Sequence, residues 1–163
     1  MRYDSAKMPA AEIKIRRMDH ADILAIVAIE QSVHGAPHWP RSLYEEALLV
    51  GSPQPRLALV ANGTDTGEIA GFIIASLIAP EAELESIAVA EIAQRRGVGR
   101  RLLQALAVEL HEQGIAELHL EVRASNLPAI RFYESQNFKQ IGVRPRYYSD
   151  PEEDAVLMTF RLA

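Results

Sequence analysis

Between residues 84 and 113 the chain runs from an apolar stretch, Leu84 to Val89, through Gln94-Arg95-Arg96-Gly97-Val98-Gly99-Arg100, into an amphipathic stretch, Arg101 to Gln113. A strand that enters a helix through a glycine-rich turn leaves few folds open, because that helix must pack back on a sheet. Its stripe of Val98, Leu102, Leu106 and Leu110, with Leu103 beside it, provides the face for doing so. Gly114 stops the helix. The turn sets two glycines and neighbouring arginines at a helix N-terminus, where backbone N–H groups lack partners and the helix dipole is positive. Glycine lets a ligand approach the backbone, so the expected guest is a phosphate or pyrophosphate. No Gly-Lys-Ser/Thr follows, so this is not a Walker loop, and the spacing also fails the dinucleotide fingerprint Gly-x-Gly-x-x-Gly. On these residues alone, a plain tight turn with a solvated basic helix start reads equally well.

The remaining segments supply the sheet. Glu12 to Met18 alternates and reads as a strand; Asp19 can cap a helix whose apolar face is Ile23, Ile26, Val27 and Ile29. His34 to Pro40 reads as a loop holding the only tryptophan, and a short helix follows from about Ser42 to Val50. Strands are expected at Arg56–Ala61, Ile69–Ile78 and Glu83–Val89, the first two joined by a turn from Asn62 to Gly67. Glu117 to Arg123 alternates cleanly, with Leu118, Leu120 and Val122 on one face and His119 and Glu121 on the other. Ser125 to Pro128 opens a helix, Pro128 being tolerated in its first turn, and Asn137 can take the left-handed conformation that ends it. Phe138–Pro145 and Ala155–Leu162 are the last strands, with a polar loop from Tyr147 to Asp154 between them. The order β-α-α-β-β-β-α-β-α-β-β describes one α/β domain over residues 11–163, behind a short flexible lead at residues 1–10.

Totals narrow the function classes. The chain has 163 residues, no cysteine and a net charge of −5. Disulfides, thiolate zinc sites and cysteine nucleophiles are excluded, and a general nucleic-acid binder is not expected. No apolar run could span a bilayer and no signal pattern leads the chain, so a cytoplasmic location without membrane attachment is expected. His34 and His38 point only weakly to a metal, because no ligand cluster joins them, and none is expected.

The stretch Gln94 to Gly99 resembles the Gln/Arg-x-x-Gly-x-Gly/Ala signature of the GNAT N-acetyltransferases. The resemblance extends through Leu120-Glu121-Val122-Arg123-Ala124-Ser125-Asn126, Ala129-Ile130, Phe132-Tyr133-Glu134-Ser135 and Phe138, and through Ile87-Ala88-Val89, Tyr147-Tyr148 and Glu153-Asp154-Ala155. It is dense from about Leu84 to Met158 and thin before that. It implies a single-domain GNAT fold: a mixed, mostly antiparallel seven-stranded sheet with about four helices, splayed between the fourth and fifth strands. It implies acetyl-CoA as cosubstrate, its pyrophosphate on Arg95, Arg96, Gly97, Val98, Gly99 and Arg100. The pantetheine arm would lie along the backbone of Ile87, Ala88 and Val89 as an added strand, and the Asn126 amide would also bind the cofactor. Read without the resemblance, Ile87 to Val89 is sheet core and Asn126 a cap or turn residue.

Within that family the chain is most similar to the branch that acetylates the N-terminal alanine of a ribosomal protein. An α-amine has a reference pKa of about 8, so a base must take a proton before the amine can attack a thioester. The resemblance assigns that role to Glu121 and makes Tyr133 the acid that protonates the leaving thiolate. From pattern alone, Glu121 is a solvated strand carboxylate and Tyr133 a core aromatic beside Ile130. Glu85 is a rival base, next to the pantetheine segment. Tyr147, Tyr148, Glu153 and Asp154 are candidates for guiding a basic peptide.

Two features depart from that pattern. Asn137 stands where glycine usually precedes the phenylalanine, and the tryptophan loop reads Ala36-Pro37-His38-Trp39-Pro40-Arg41-Ser42. The loop lines the acceptor side in the family, so the acceptor is the less constrained half of the reading; Trp39 is either a substrate anchor or a core plug. A small-molecule amine acetyltransferase and a non-catalytic acyl-CoA-binding module are the alternatives, and the presence of both Glu121 and Tyr133 argues against the latter.

Overall fold

In β5 (Glu117–Arg123), Leu118, Leu120 and Val122 are buried while the residues between them are half-buried. β2 (Arg56–Gly63) and β3 (Ile69–Ile78) are instead buried almost continuously, so the centre of the sheet is covered on both faces, on one of them by the long helix α3 (Val98–Glu112). The computed structural model describes residues 12–33 and 38–162. Its other strands are β1 (Ile13–Arg17), β4 (Glu81–Val89), β6 (Lys139–Tyr148) and β7 (Glu153–Arg161). Its other α-helices are α1 (Ile23–Ser32), α2 (Arg41–Ala47) and α4 (Leu127–Ser135), with 3-10 turns at His20–Asp22 and Glu91–Ala93. The seven strands lie in the order β1-β2-β3-β4-β5-β7-β6. β4 and β5 run parallel, joined by the α3 crossover, and all other neighbours are antiparallel.

Two cores flank the sheet. Leu102, Leu106 and Leu110 of α3, with Tyr133 of α4 and Phe138, pack on Leu57, Leu59, Ile73, Leu84, Leu118 and Leu120. On the opposite face Ile23, Ile26 and Ile29 of α1 and Tyr44 of α2 pack on Ala58, Val60, Phe72, Ile74 and Ala88. Ala88 and Leu84 thus face opposite ways although four residues apart. The register explains it: Ile74 pairs with Ser86 but Ala75 pairs with Leu84, so Glu85 is an extra residue, a β-bulge. β4 pairs with β5 only through Glu81, Ala82 and Glu83, and the pairing stops two residues before the bulge. Beyond it the two strands separate, which is the splay expected between the fourth and fifth strands.

The expected elements are all present, with shifted ends. α3 begins at Val98 rather than Arg101, so Val98, Gly99 and Arg100 form its first turn. β4 begins at Glu81 rather than Glu83, and α2 ends at Ala47 rather than Val50. The expected polar loop from Tyr147 to Asp154 shrinks to residues 149–152, because β6 continues through Pro145 to Tyr148 and β7 starts at Glu153. Proline cannot donate to a ladder, but β6 is an edge strand, and its register with β7 shifts between Arg144 and Tyr148. Within that irregularity the Arg146 N–H donates instead to Asp154 Oδ1 at 2.9 Å. Asn137 has φ 69°, the left-handed conformation expected of it, and the Phe138 N–H closes the helix end on Tyr133 O at 3.0 Å.

Candidate active site

Over the paired end of β4 and β5, next to the point where the strands part, lies a cleft of about 360 Å3, lined by Glu81 and Glu83 of β4, His119 and Glu121 of β5 and Arg144 of β6. Strand alternation places Glu121 here: its neighbours Leu120 and Val122 turn into the α3 core, so its carboxylate turns to the other face. The Glu121 side chain is 19% exposed and its Oε1 lies 3.3 Å from Arg144 Nε. The Tyr147 hydroxyl meets the same carboxylate, and that contact, together with partial burial, pushes the tyrosine above its ordinary pKa. Glu83 completes the group. Burial raises its pKa, the charges of Glu121 and Glu85 raise it further, and Arg144 and His119 oppose them. Of the three carboxylates lining the cleft, Glu83 and Glu121 therefore repel one another, and Glu83 is held partly toward its neutral form.

Glu85, the rival base, does not line this cleft. The bulge turns it toward β2, where Arg56 Nε holds both carboxylate oxygens at 3.1 and 3.2 Å, with both side chains 15% exposed. Glu83 faces Glu121 in its place. Glu85 is the bulged residue of β4 and is taken up by Arg56, and nothing in the local sequence pattern marks a bulge. His119 turns toward Glu81 and Glu117, with Nε2 at 3.6 and 3.4 Å, rather than toward Glu121. These three are the group of side chains whose ligand atoms converge among the described residues.

Tyr133 lies on the other side of the sheet. It is buried between Phe132 and Phe138, with ring centroids 5.4 and 5.5 Å away, and burial pushes its pKa well above the ordinary tyrosine range. Its phenol is therefore a proton donor at any neutral pH. Glu121 and Tyr133 flank the sheet from opposite faces and do not touch. Tyr148, at the end of β6, lies within electrostatic reach of both; burial, with the Glu121 charge, pushes it up to about 12.

The loop before α3 is shaped by left-handed residues: Arg95 at φ 62° and Gly97, the N-cap, at φ 78°. Gly97 is required there, since an L side chain is strained at that angle. No side chain caps the helix, so its first N–H groups remain available, and Arg95, Arg96 and Arg100 are exposed without an ion pair among the described residues. These features fit a diphosphate. Gln94, which pattern reading left without a role, ties the loop to the sheet: its Nε2 donates to Val89 O at 3.1 Å. Ile87 and Val89 pack toward the α3 core and Ala88 toward the α1 core, while β3 pairs with one edge of their backbones. Asn126 is the N-cap of α4, its Oδ1 accepting from Ala129 N at 3.3 Å, which leaves its amide nitrogen for a ligand.

The acceptor-side candidates divide. Trp39 is half-buried, stacks against Tyr44 at 5.4 Å and donates its backbone N–H to the buried Glu30, so it acts as a plug in the α1–α2 core. Glu153 accepts from Ser125 N and pairs with Arg123 at 3.3 Å, contacts that hold its carboxyl below the ordinary range. Asp154 accepts from Arg146 N. Both acids are occupied in holding the β6–β7 hairpin. Tyr147 reaches the cleft, and Arg123 covers the Tyr148 ring at 4.4 Å. His34 lies outside the described residues; His38 is exposed.

The family comparison agrees with this geometry. The model of the Acetyltransferase (GNAT) family matches residues 23–138. The [ribosomal protein bS18]-alanine N-acetyltransferase of Escherichia coli (strain K12) is 38% identical over 151 residues, 91% of this chain and 97% of the relative. That of Haemophilus influenzae is 34% identical over 148 residues, 88% and 95% of the two chains. The crystal structure of the ribosomal-protein-S18-alanine N-acetyltransferase from Escherichia coli superposes with a TM-score of 0.77 at 36% identity, covering 93% of this chain and 95% of that one. Ard1 from Thermoplasma volcanium superposes with a TM-score of 0.79 at 28% identity, covering 93% and 98%. With the splayed β4–β5 pair, the uncapped α3 turn and these relatives in agreement, the chain belongs to the GNAT family of acetyltransferases.

Proposed function

We propose that this enzyme transfers the acetyl group of acetyl-CoA to the α-amine of a protein N-terminus, the acceptor being the N-terminal alanine of ribosomal protein bS18. The observation that carries the reading is the parting of β4 from β5 beside a cleft, with an accessible carboxylate, Glu121, on one side of the sheet and a buried phenol, Tyr133, on the other. The named activity of relatives that match nearly their full length supplies the acceptor.

Acetyl-CoA brings the activated thioester. Arg95 to Arg100 hold its pyrophosphate at the α3 N-terminus, the free edge of Ile87 to Val89 takes its peptide-like arm, and the Asn126 amide nitrogen adds a donor. Glu121 takes a proton from the acceptor ammonium, directly or through water, so that the nitrogen lone pair can attack the carbonyl carbon. As the C–N bond forms and the C–S bond breaks, the nitrogen gives up its second proton to solvent and Tyr133 gives its proton to sulfur, the phenol then being reprotonated from solvent. Glu83 adds negative potential that draws the ammonium in. Tyr147 lines the entrance.

The test is thiol release with a panel of peptides: one beginning with alanine, the same peptide Nα-acetylated, peptides with other first residues, and small amines such as spermidine. Release with the free alanyl peptide and none with the blocked one is expected. Release with spermidine and not with any peptide would assign a small-molecule acceptor instead.

A further inference from the structure

Two carboxylates in a partly desolvated groove need a cation, and Arg144 supplies it. Its Nε lies 3.3 Å from Glu121 Oε1, its charge opposes the rise in the Glu83 pKa, and its guanidinium carbon lies 5.7 Å from the centre of the Tyr147 ring. The cation is held loosely: the Arg144 side chain is 58% exposed. It also stands on edge strand β6, at the point where the register with β7 breaks. The Arg56–Glu85 pair beside the cleft, far more buried, shows what a fixed pair in this sheet looks like.

We propose that Arg144 is a displaceable stand-in for the acceptor's ammonium: it occupies the position on Glu121 that the incoming amine takes, and an acceptor enters by exchanging its own positive charge for that of the guanidinium. The inference rests on the acetyl-transfer reading, with Glu121 as base. A carboxylate paired with arginine has no proton to take from its partner, because guanidinium does not deprotonate in proteins. The base is therefore blocked until a cation that can lose a proton replaces Arg144. The exchange moves no proton; the displacing ammonium then gives one to Glu121. A protonated amine makes this exchange at nearly constant charge in the cleft, whereas a neutral amine leaves Arg144 in place.

The other groups facing Arg144 fit this arrangement. Glu83 comes from β4, Glu121 and His119 from β5 and Tyr147 from β6, while β3 and β7 present Ile78 and Leu157. Once displaced, the guanidinium remains close enough to Glu83 and Tyr147 to avoid complete loss of partners.

Steady-state kinetics of the full chain with a hexapeptide beginning with alanine test the proposal. Arg144→Gln should lower the KM for the peptide about two- to fivefold, the range an exposed ion pair allows, with the KM for acetyl-CoA unchanged. Arg144→Lys should restore the wild-type KM, and Arg161→Gln, which removes an equal charge outside the cleft, should match wild type. A peptide KM that is unchanged or higher in Arg144→Gln would overturn the proposal. A second arm does not need turnover. The Arg144 Nε–H resonance, assigned by its loss in Arg144→Gln, should move to a solvent-exposed position when protonated alaninamide saturates the protein; a resonance that stays put overturns the stand-in role. Absence of thiol release by the wild type with every peptide would instead overturn the acetyl-transfer reading, leaving the resonance to decide the fate of Arg144.

Discussion

At the scale of single residues, the proposed acid and the proposed base are held in opposite environments. Tyr133 is buried in an aromatic cluster and stays protonated; Glu121 sits in an open cleft beside the Arg144 guanidinium. Removing the phenol proton donor by Tyr133→Phe should lower kcat by about 10²-fold or more, the usual contribution of a positioned acid, with the KM for acetyl-CoA within about twofold. Equal turnover in mutant and wild type would sink the acid assignment. Glu121→Gln should move the acidic limb of the kcat/KM profile to higher pH, toward the amine's own pKa of about 8, because the amine must then lose its proton to solvent. An unmoved limb would transfer the role to Glu83 or to water. Glu121 and Tyr133 were singled out by their motif; Glu83 and Arg144 were not. Glu83 faces the cleft because of a register shift, and Arg144 reaches it from a strand whose course past Pro145 depends on its being at a sheet edge.

At the scale of elements, legibility follows how local the cause is. α3 and β5 were readable because periodicity of 3.6 and of 2 decides them, with buried Leu102, Leu106, Leu110 and Leu118, Leu120, Val122 where each pattern puts them. The β4 bulge and the long β6–β7 hairpin were not readable, since both are set by how a strand registers with its partner. Gly97 belongs to this scale too. Gly97→Ala forces a Cβ into the left-handed region at φ 78°, which should cost about 1 kcal/mol or more of stability and raise the KM for acetyl-CoA, as the loop relaxes away from its phosphate-ready shape. Thermal melts paired with acetyl-CoA titration check both halves. Leu106→Ala, wholly buried under the sheet, should cost about 2–5 kcal/mol while leaving the turnover of the folded fraction near that of wild type. A comparable loss of kcat in the folded protein would show that α3 does more than support the sheet.

At the scale of the whole molecule, acid sensitivity should centre on the join between β1 and α1. Arg16 holds both oxygens of the nearly buried Asp22 at 2.8 Å and also reaches Asn62 on β2, and hydrogen bonding to Arg16 holds the Asp22 carboxyl below its ordinary value. A carboxyl lowered on folding stabilises the protein fully above its unfolded pKa of about 3.9, and that stability is lost as pH falls through the lower folded value. Asp22→Asn should therefore cost about 1–3 kcal/mol at pH 7, a figure reduced for the partial exposure of Arg16, and the gap from wild type should narrow as the pH approaches 3. Melting temperatures of the two proteins across that range test it. The seam between β4 and β5 has a mechanical meaning at this scale. Three paired residues, Glu81 to Glu83 against Glu117 to His119, connect a slab of β1 to β4 with a slab of β5 to β7. Such a sheet is hinged at one end and open at the other. A peptide-like guest laid in the opening would act as a splint across both slabs, so that each catalytic cycle stiffens the molecule on loading and slackens it on release.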